Sequence, residues 1–123
     1  MIYLLIASVL SFVIVITHET YARSIFLKPL LTFIKEPLLV SVLYLFWETA
    51  TVVFAIGGLA YLAASMGWVS ADVAWVPSAT FLVLAVVILF LALTSKSDKA
   101  MRTLAQWPIL ALISVLGIIG VMQ

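Results

Sequence analysis

The feature that most constrains this chain is the apolar run Leu38–Ala64, in which Glu48 is the only charged residue. A helix rises about 1.5 Å per residue, so the run is long enough to cross a hydrocarbon core about 30 Å thick. The sequence therefore predicts a membrane-spanning helix. Counted from Leu38, Glu48 is expected roughly 15 Å into that helix, near the middle of the membrane.

Three further apolar segments accompany this run, and the predicted spans are 2–22, 38–64, 77–95 and 105–122. The chain has 123 residues, of which 67% are hydrophobic and only 9% are charged. That composition is far from that of soluble globular domains. We therefore predict an all-α fold: one integral membrane four-helix bundle that occupies residues 1–123.

Basic residues predict the orientation, because cytoplasmic loops of membrane proteins carry an excess of Lys and Arg. All six lie in the connections after the first and third spans: Arg23, Lys28, Lys35, Lys96, Lys99 and Arg102. Both connections are expected in the cytoplasm, in contact with lipid headgroups, and both termini on the opposite side. Trp68 and Trp75 are expected at the outer interface and Trp107 at the inner one.

Polar residues recur at helical spacing within the spans, and we predict that they meet as one cluster inside the bundle. Its expected members are Glu48, His18, Tyr44, Ser41, Thr51, Ser8, Ser11 and Ser114. Small residues that let helices approach closely are Ala55, Gly58, Ala111, Gly117 and Gly120. The third span has no comparable set and is expected to face lipid.

His18 and Glu48 are expected to approach each other. Their helices run antiparallel, and side chains lean toward the N-terminus of their own helix. The two side chains therefore lean toward one another, which allows a direct contact or a bridge through one water.

Several kinds of chemistry lack support in the sequence. The absence of cysteine excludes disulfides, thiol chemistry and cysteine-bound metals. One histidine and one glutamate make a poor metal set, so no metal site is predicted. No catalytic or nucleotide-binding motif is found, no cofactor is required, and nucleic acid is not an expected partner.

Three hypotheses for Glu48 remain open at this point. In the first, Glu48 specifies helix packing in a non-catalytic subunit or scaffold of a homo-oligomer or larger membrane complex. In the second, Glu48 serves a small transporter or proton-conducting protein, since ionisable groups at membrane depth often mark ion pathways. In the third, the protein binds a lipid, quinone or other cofactor through His18.

Two short motifs carry a resemblance: His18-x4-Arg23-x4-Lys28-Pro29-Leu30, and Trp47-Glu48-x-Ala-Thr51. They resemble a group of small four-helix bacterial integral membrane proteins. The resemblance covers about the first fifty residues and implies an architecture and a bacterial cytoplasmic membrane, not an activity. This chain has Ala22-Arg23 where the group has Gly-Glu, and Glu48 where the group has a second histidine. The second difference weakens any two-histidine metal or haem site.

Overall fold

The computed structural model describes residues 1–94 and 107–123, and these residues form helices without any strand. Helix α1 covers Ile2–Thr17 and continues as a π-helical segment, His18–Leu27, and then as α2, Lys28–Phe33. Helix α3 covers Pro37–Ser65, a 3₁₀ turn covers Ala71–Ala74, α4 covers Trp75–Thr94 and α5 covers Trp107–Met122. In this part of the chain, three helices are long and apolar enough to cross a membrane, and α5 is a shorter apolar helix of 16 residues.

The first helix is longer than the sequence predicted. The prediction ended it near Ala22, whereas α1, the π segment and α2 form one helix, Ile2–Phe33. Pro29 does not interrupt it, because Pro29 lies in the first turn of α2, where a missing N–H has little cost. The chain turns instead at Ile34 and Glu36, which are extended, and Glu36 directly precedes Pro37.

The hydrophobic core lies where α1, α4 and α5 meet one end of α3. Its largest members are almost fully buried: Leu4, Tyr61, Phe81, Leu110 and Ile113. The five buried residues of α3 all lie between Phe54 and Ala64. The other half of α3, from Pro37 onward, leaves most of its surface uncovered by the described residues.

Glycines set how closely these helices approach. A Cβ atom at Gly117 would overlap the Ser78 hydroxyl and lie 2.7 Å from the Tyr61 ring. A Cβ atom at Gly120 would lie 2.6 Å from Leu4, and one at Gly58 would lie 3.2 Å from Ser11 and Phe12. The close approach of α5 to its neighbours, and that of α1 to α3, therefore depends on glycine having no side chain at these positions.

One face of helix α4 is buried against its neighbours, which the sequence did not predict. Ser78, Phe81, Ala85 and Ala92 recur at helical spacing and are buried. The expectation that this span simply faces lipid is wrong for that face, because alanine and serine at those positions let α5 pack directly against α4.

Candidate functional site

Among the described residues, the most concentrated group of charges lies where the π segment passes α3. We call it the Arg23 cluster: Glu19, Arg23, Tyr44, Glu48 and Thr51. The Nη1 atom of Arg23 donates to Oε2 of Glu19 at 2.7 Å and lies 3.1 Å from Oε1 of Glu48. Thr51 donates a hydrogen bond to the other oxygen of Glu19. The guanidinium also lies 5.8 Å from the centre of the Tyr44 ring, in cation–π range.

Glu48 lies at the surface of the bundle rather than inside it. Its side chain is 49% exposed, and its charged partner is Arg23. We predicted that Arg23 sets the topology and contacts lipid headgroups. The structure shows in addition that it forms ion pairs with Glu19 and Glu48. Glu19, which the sequence analysis did not single out, is the other carboxylate of the site. No local pattern indicated its role, because one of its partners, Thr51, lies 32 residues away in the sequence.

The predicted single polar cluster is divided among separate places in the structure. Ser8 donates to the carbonyl of Gly58 at 2.8 Å, and Gly58 lies ten residues beyond Glu48, about 15 Å along α3. Ser11 donates to the carbonyl of Ala7 in its own helix. Because α1 and α3 run antiparallel, residues early in α1 meet the far end of α3 and cannot reach Glu48.

Ser114 belongs to a second polar group, which lies between α3, α4 and α5. The Ser114 hydroxyl donates to the carbonyl of Ser78 at 2.7 Å, and the hydroxyls of Ser78 and Tyr61 are 2.9 Å apart. All three side chains are fully buried. Ser78 was missed because it follows Pro77 and was taken only as the start of a span. Its spacing to Phe81 and Ala85 is the signal that indicates an inward position.

His18 stacks on the ring of Trp47, with the ring centres 4.0 Å apart and the planes 15° apart. Its Nε2 atom lies 3.3 Å from the carbonyl oxygen of Trp47, and the edge of Phe54 packs against the ring. His18 is only 8% exposed. The hydrogen-bond partner of His18 in the described structure is therefore the Trp47 backbone and not Glu48.

The remaining predicted positions are distributed along the chain. Ser41, Lys28 and Lys35 are exposed, and Trp68 and Trp75 are 71% and 44% exposed. Ala55 is half-buried, and Ala111 and Trp107 pack partly against the core. Lys96, Lys99 and Arg102 lie outside the described residues.

The Arg23 cluster has the chemistry of a charged contact site. Two carboxylates face one guanidinium, so the cluster holds a surplus of one negative charge when both carboxylates are ionised. Such a site suits an additional cation or hydrogen-bond donor. Within the described ranges, no group of three or more His, Cys, Asp or Glu residues is arranged to hold a metal ion.

Comparisons with protein-family models, with curated proteins and with solved structures gave no match to this chain.

Proposed function

We propose that this chain is a multi-pass protein of the bacterial cytoplasmic membrane and acts there as a small non-catalytic subunit of a larger membrane complex. Three long apolar helices support the membrane location. In the sequence, all the basic residues follow the first or the third predicted span, which supports a cytoplasmic side for these two stretches and external termini.

This placement puts the Arg23 cluster near the inner boundary of the membrane. Glu48 precedes the end of α3, Ser65, by 17 residues, or about 26 Å, and Arg23 follows Ile2 by 21 residues, or roughly 32 Å. A core about 30 Å thick that begins at Ile2 and Ser65 therefore ends beside the cluster. This depth favours a contact site over a midplane transport site, and the interior beyond it is filled by Leu4, Tyr61 and Phe81.

The observation that carries the proposal is an exposed face of α3, which we call the docking face: Ser41, Tyr44, Leu45, Glu48 and Val52. It combines aliphatic residues with a tyrosine and with Glu48, which is ion-paired to Arg23 of the first helix. Tyrosine and arginine are enriched at protein interfaces. An isolated bundle leaves all of these side chains uncovered.

The charge of the docking face indicates the kind of partner. A second copy of this chain in a face-to-face dimer would bring the same surplus of negative charge, which is unfavourable. Transmembrane helices of other proteins carry Lys and Arg at their cytoplasmic ends, at the depth of Glu48. We therefore propose that the partner is a transmembrane helix of a different subunit, with a basic residue at its inner end.

Site-specific photocrosslinking tests this proposal in native membranes. A photoreactive phenylalanine at Leu45 or Val52 should crosslink to one integral membrane protein, whereas the same residue at Val83 or Val86, exposed on α4, should not. Glu48→Lys should reduce crosslinking at least fivefold, because it reverses the charge offered to the partner. Changing the partner's basic residue to glutamate should restore the crosslink.

Three results would overturn the proposal. The first is equal crosslinking from the α3 and α4 positions, which would indicate random contact. The second is a product with twice the mass of this chain, which would replace the different subunit with a homo-oligomer. The third is loss of ion flux in proteoliposomes with Glu48→Gln while crosslinking is unchanged, which would favour the transporter hypothesis.

A further inference from the structure

A crevice lies between α3 and the first helix, where the π segment continues into α2. His18 and Trp47 are among the residues that line it. Its volume is about 230 Å³, equal to the liquid volume of roughly eight water molecules. The other lining side chains are apolar, among them Leu27, Leu30 and Phe46. The π-helical segment begins at His18, and π-helical turns occur frequently at functional sites.

Among the residues that the structure describes, two ring nitrogens of these side chains have no hydrogen-bond partner: Nδ1 of His18 and Nε1 of Trp47. Both atoms are buried, and a buried polar atom without a partner is destabilising because it has lost its hydrogen bonds to water. The Trp47 nitrogen is a donor only. In the neutral His18 ring, Nε2 must carry the proton to bond the Trp47 carbonyl, so Nδ1 is an acceptor.

One unsatisfied donor and one unsatisfied acceptor therefore belong to two stacked side chains that line the same apolar crevice. A hydroxyl is the smallest group that can both accept a hydrogen bond and donate one. A carbonyl or an ether can satisfy Trp47 but not His18, and an alkane can satisfy neither.

We infer that the crevice binds the hydroxyl head of a lipid-soluble alcohol or phenol, with Trp47 as the hydrogen-bond donor and His18 as the acceptor. Neither nitrogen is open to solvent, so the hydroxyl reaches them only when the two rings shift within their stack. Leu30 and Phe46 at the rim are 47% and 67% exposed, so an apolar tail can leave past them toward lipid. The inference is independent of the partner subunit proposed above.

Nuclear magnetic resonance of the full chain, ¹⁵N-labelled at tryptophan, in phosphatidylcholine nanodiscs tests this inference. The chain has four tryptophans, and the indole signal that disappears in Trp47→Phe belongs to Trp47. Four probes are titrated: 1-decanol, decyl hydroquinone, decyl methyl ether and decane. We expect a saturable shift of the Trp47 signal with the two hydroxyl compounds, at least tenfold weaker binding of the ether, and no saturable shift with decane.

The two hydroxyl probes distinguish the source of the ligand, because tighter binding of decyl hydroquinone indicates a phenol and tighter binding of decanol indicates a lipid alcohol. His18→Phe should weaken decanol binding at least fivefold while leaving ether binding unchanged. Ala50 also lines the crevice, so Ala50→Leu narrows it and should also weaken decanol binding. The other three indole signals report whether each variant is folded.

Equal affinity for the alcohol and its methyl ether would overturn the inference, since it would mean that His18 accepts nothing. A saturable shift with decane would also overturn it, since it would mean that the crevice binds apolar molecules without any hydrogen bond. Undiminished binding in a folded Ala50→Leu variant would place the ligand elsewhere.

Discussion

Ser11 and Ser114 look alike in the sequence, since both are serines within apolar helices, and both are fully buried. Their hydrogen bonds differ in what they join. Ser11 donates to Ala7 within its own helix, whereas Ser114 donates to Ser78 in a neighbouring helix. Only the second bond holds two helices together, and the Tyr61 hydroxyl adds a third helix to the same group.

Ser114→Ala should therefore destabilise the bundle more than Ser11→Ala. Interhelical hydrogen bonds in membrane proteins contribute about 0.6 to 1.7 kcal/mol, and this is the expected loss in free energy of unfolding for Ser114→Ala. Ser11→Ala should reduce the free energy of unfolding by only a fraction of that amount, because the Ala7 carbonyl still accepts its backbone hydrogen bond within the helix. Equilibrium unfolding in mixed detergent micelles, followed by circular dichroism, measures both. Equal losses would mean that the bond to Ser78 contributes no special stability.

The sequence predicts that Gly117 and Ser114 belong to a helix contact, but not which residues they meet. Small and hydroxyl residues at helical spacing indicate a packing face. Their partners, Ser78 and Tyr61, depend on how α4 crosses α3 and α5, which no local pattern encodes. Glu19 was missed for a related reason: its role depends on Arg23 and Thr51, and the second of these lies 32 residues away.

At the scale of the elements, the π segment decides the geometry of the Arg23 cluster. Basic residues and Pro29 follow Ala22 in the sequence. They indicate a connection there, so the sequence predicted that the helix ends near Ala22. The helix instead continues through the π segment, which keeps Glu19 and Arg23 on one face, four residues apart, beside α3. Arg23 is thereby the charged link between the first helix and the half of α3 that the core does not cover.

Arg23→Gln should loosen the part of α3 between Pro37 and Glu48. Loss of the guanidinium removes the bridge and leaves two carboxylates, Glu19 and Glu48, facing each other. We expect faster amide hydrogen exchange in that part of α3, measured by mass spectrometry in nanodiscs, and no change between Phe54 and Ala64. Ser24→Gln, at the exposed neighbouring position, is the matched control and should leave exchange unchanged. Unchanged exchange in Arg23→Gln would show that the ion pairs do not hold α3 in place.

At the scale of the whole molecule, packing is uneven. The half of the bundle near both chain termini has a core of large buried side chains, whereas α3 has no buried residue between Pro37 and Val53. The sequence predicted an all-helical chain with helices in the apolar runs, because long uncharged runs encode them directly, but it ended the first helix near Ala22 and not at Phe33. It did not predict this asymmetry, because the hydrophobicity of α3 is similar along its length and only the positions of its neighbours distinguish the two halves.

The orientation of the molecule is the last prediction, and the docking proposal depends on it. The chain has no cysteine, so single cysteines at Lys35 and Ser70, both exposed, can be labelled without background. In spheroplasts, a membrane-impermeant maleimide should label Ser70→Cys and should label Lys35→Cys only after the membrane is permeabilised. This follows because Lys35 lies in a basic connection and Ser70 in a connection without basic residues. The opposite pattern would place Glu48 at the external boundary, where partner helices lack the excess of Lys and Arg, and would remove the charge argument for a basic partner helix.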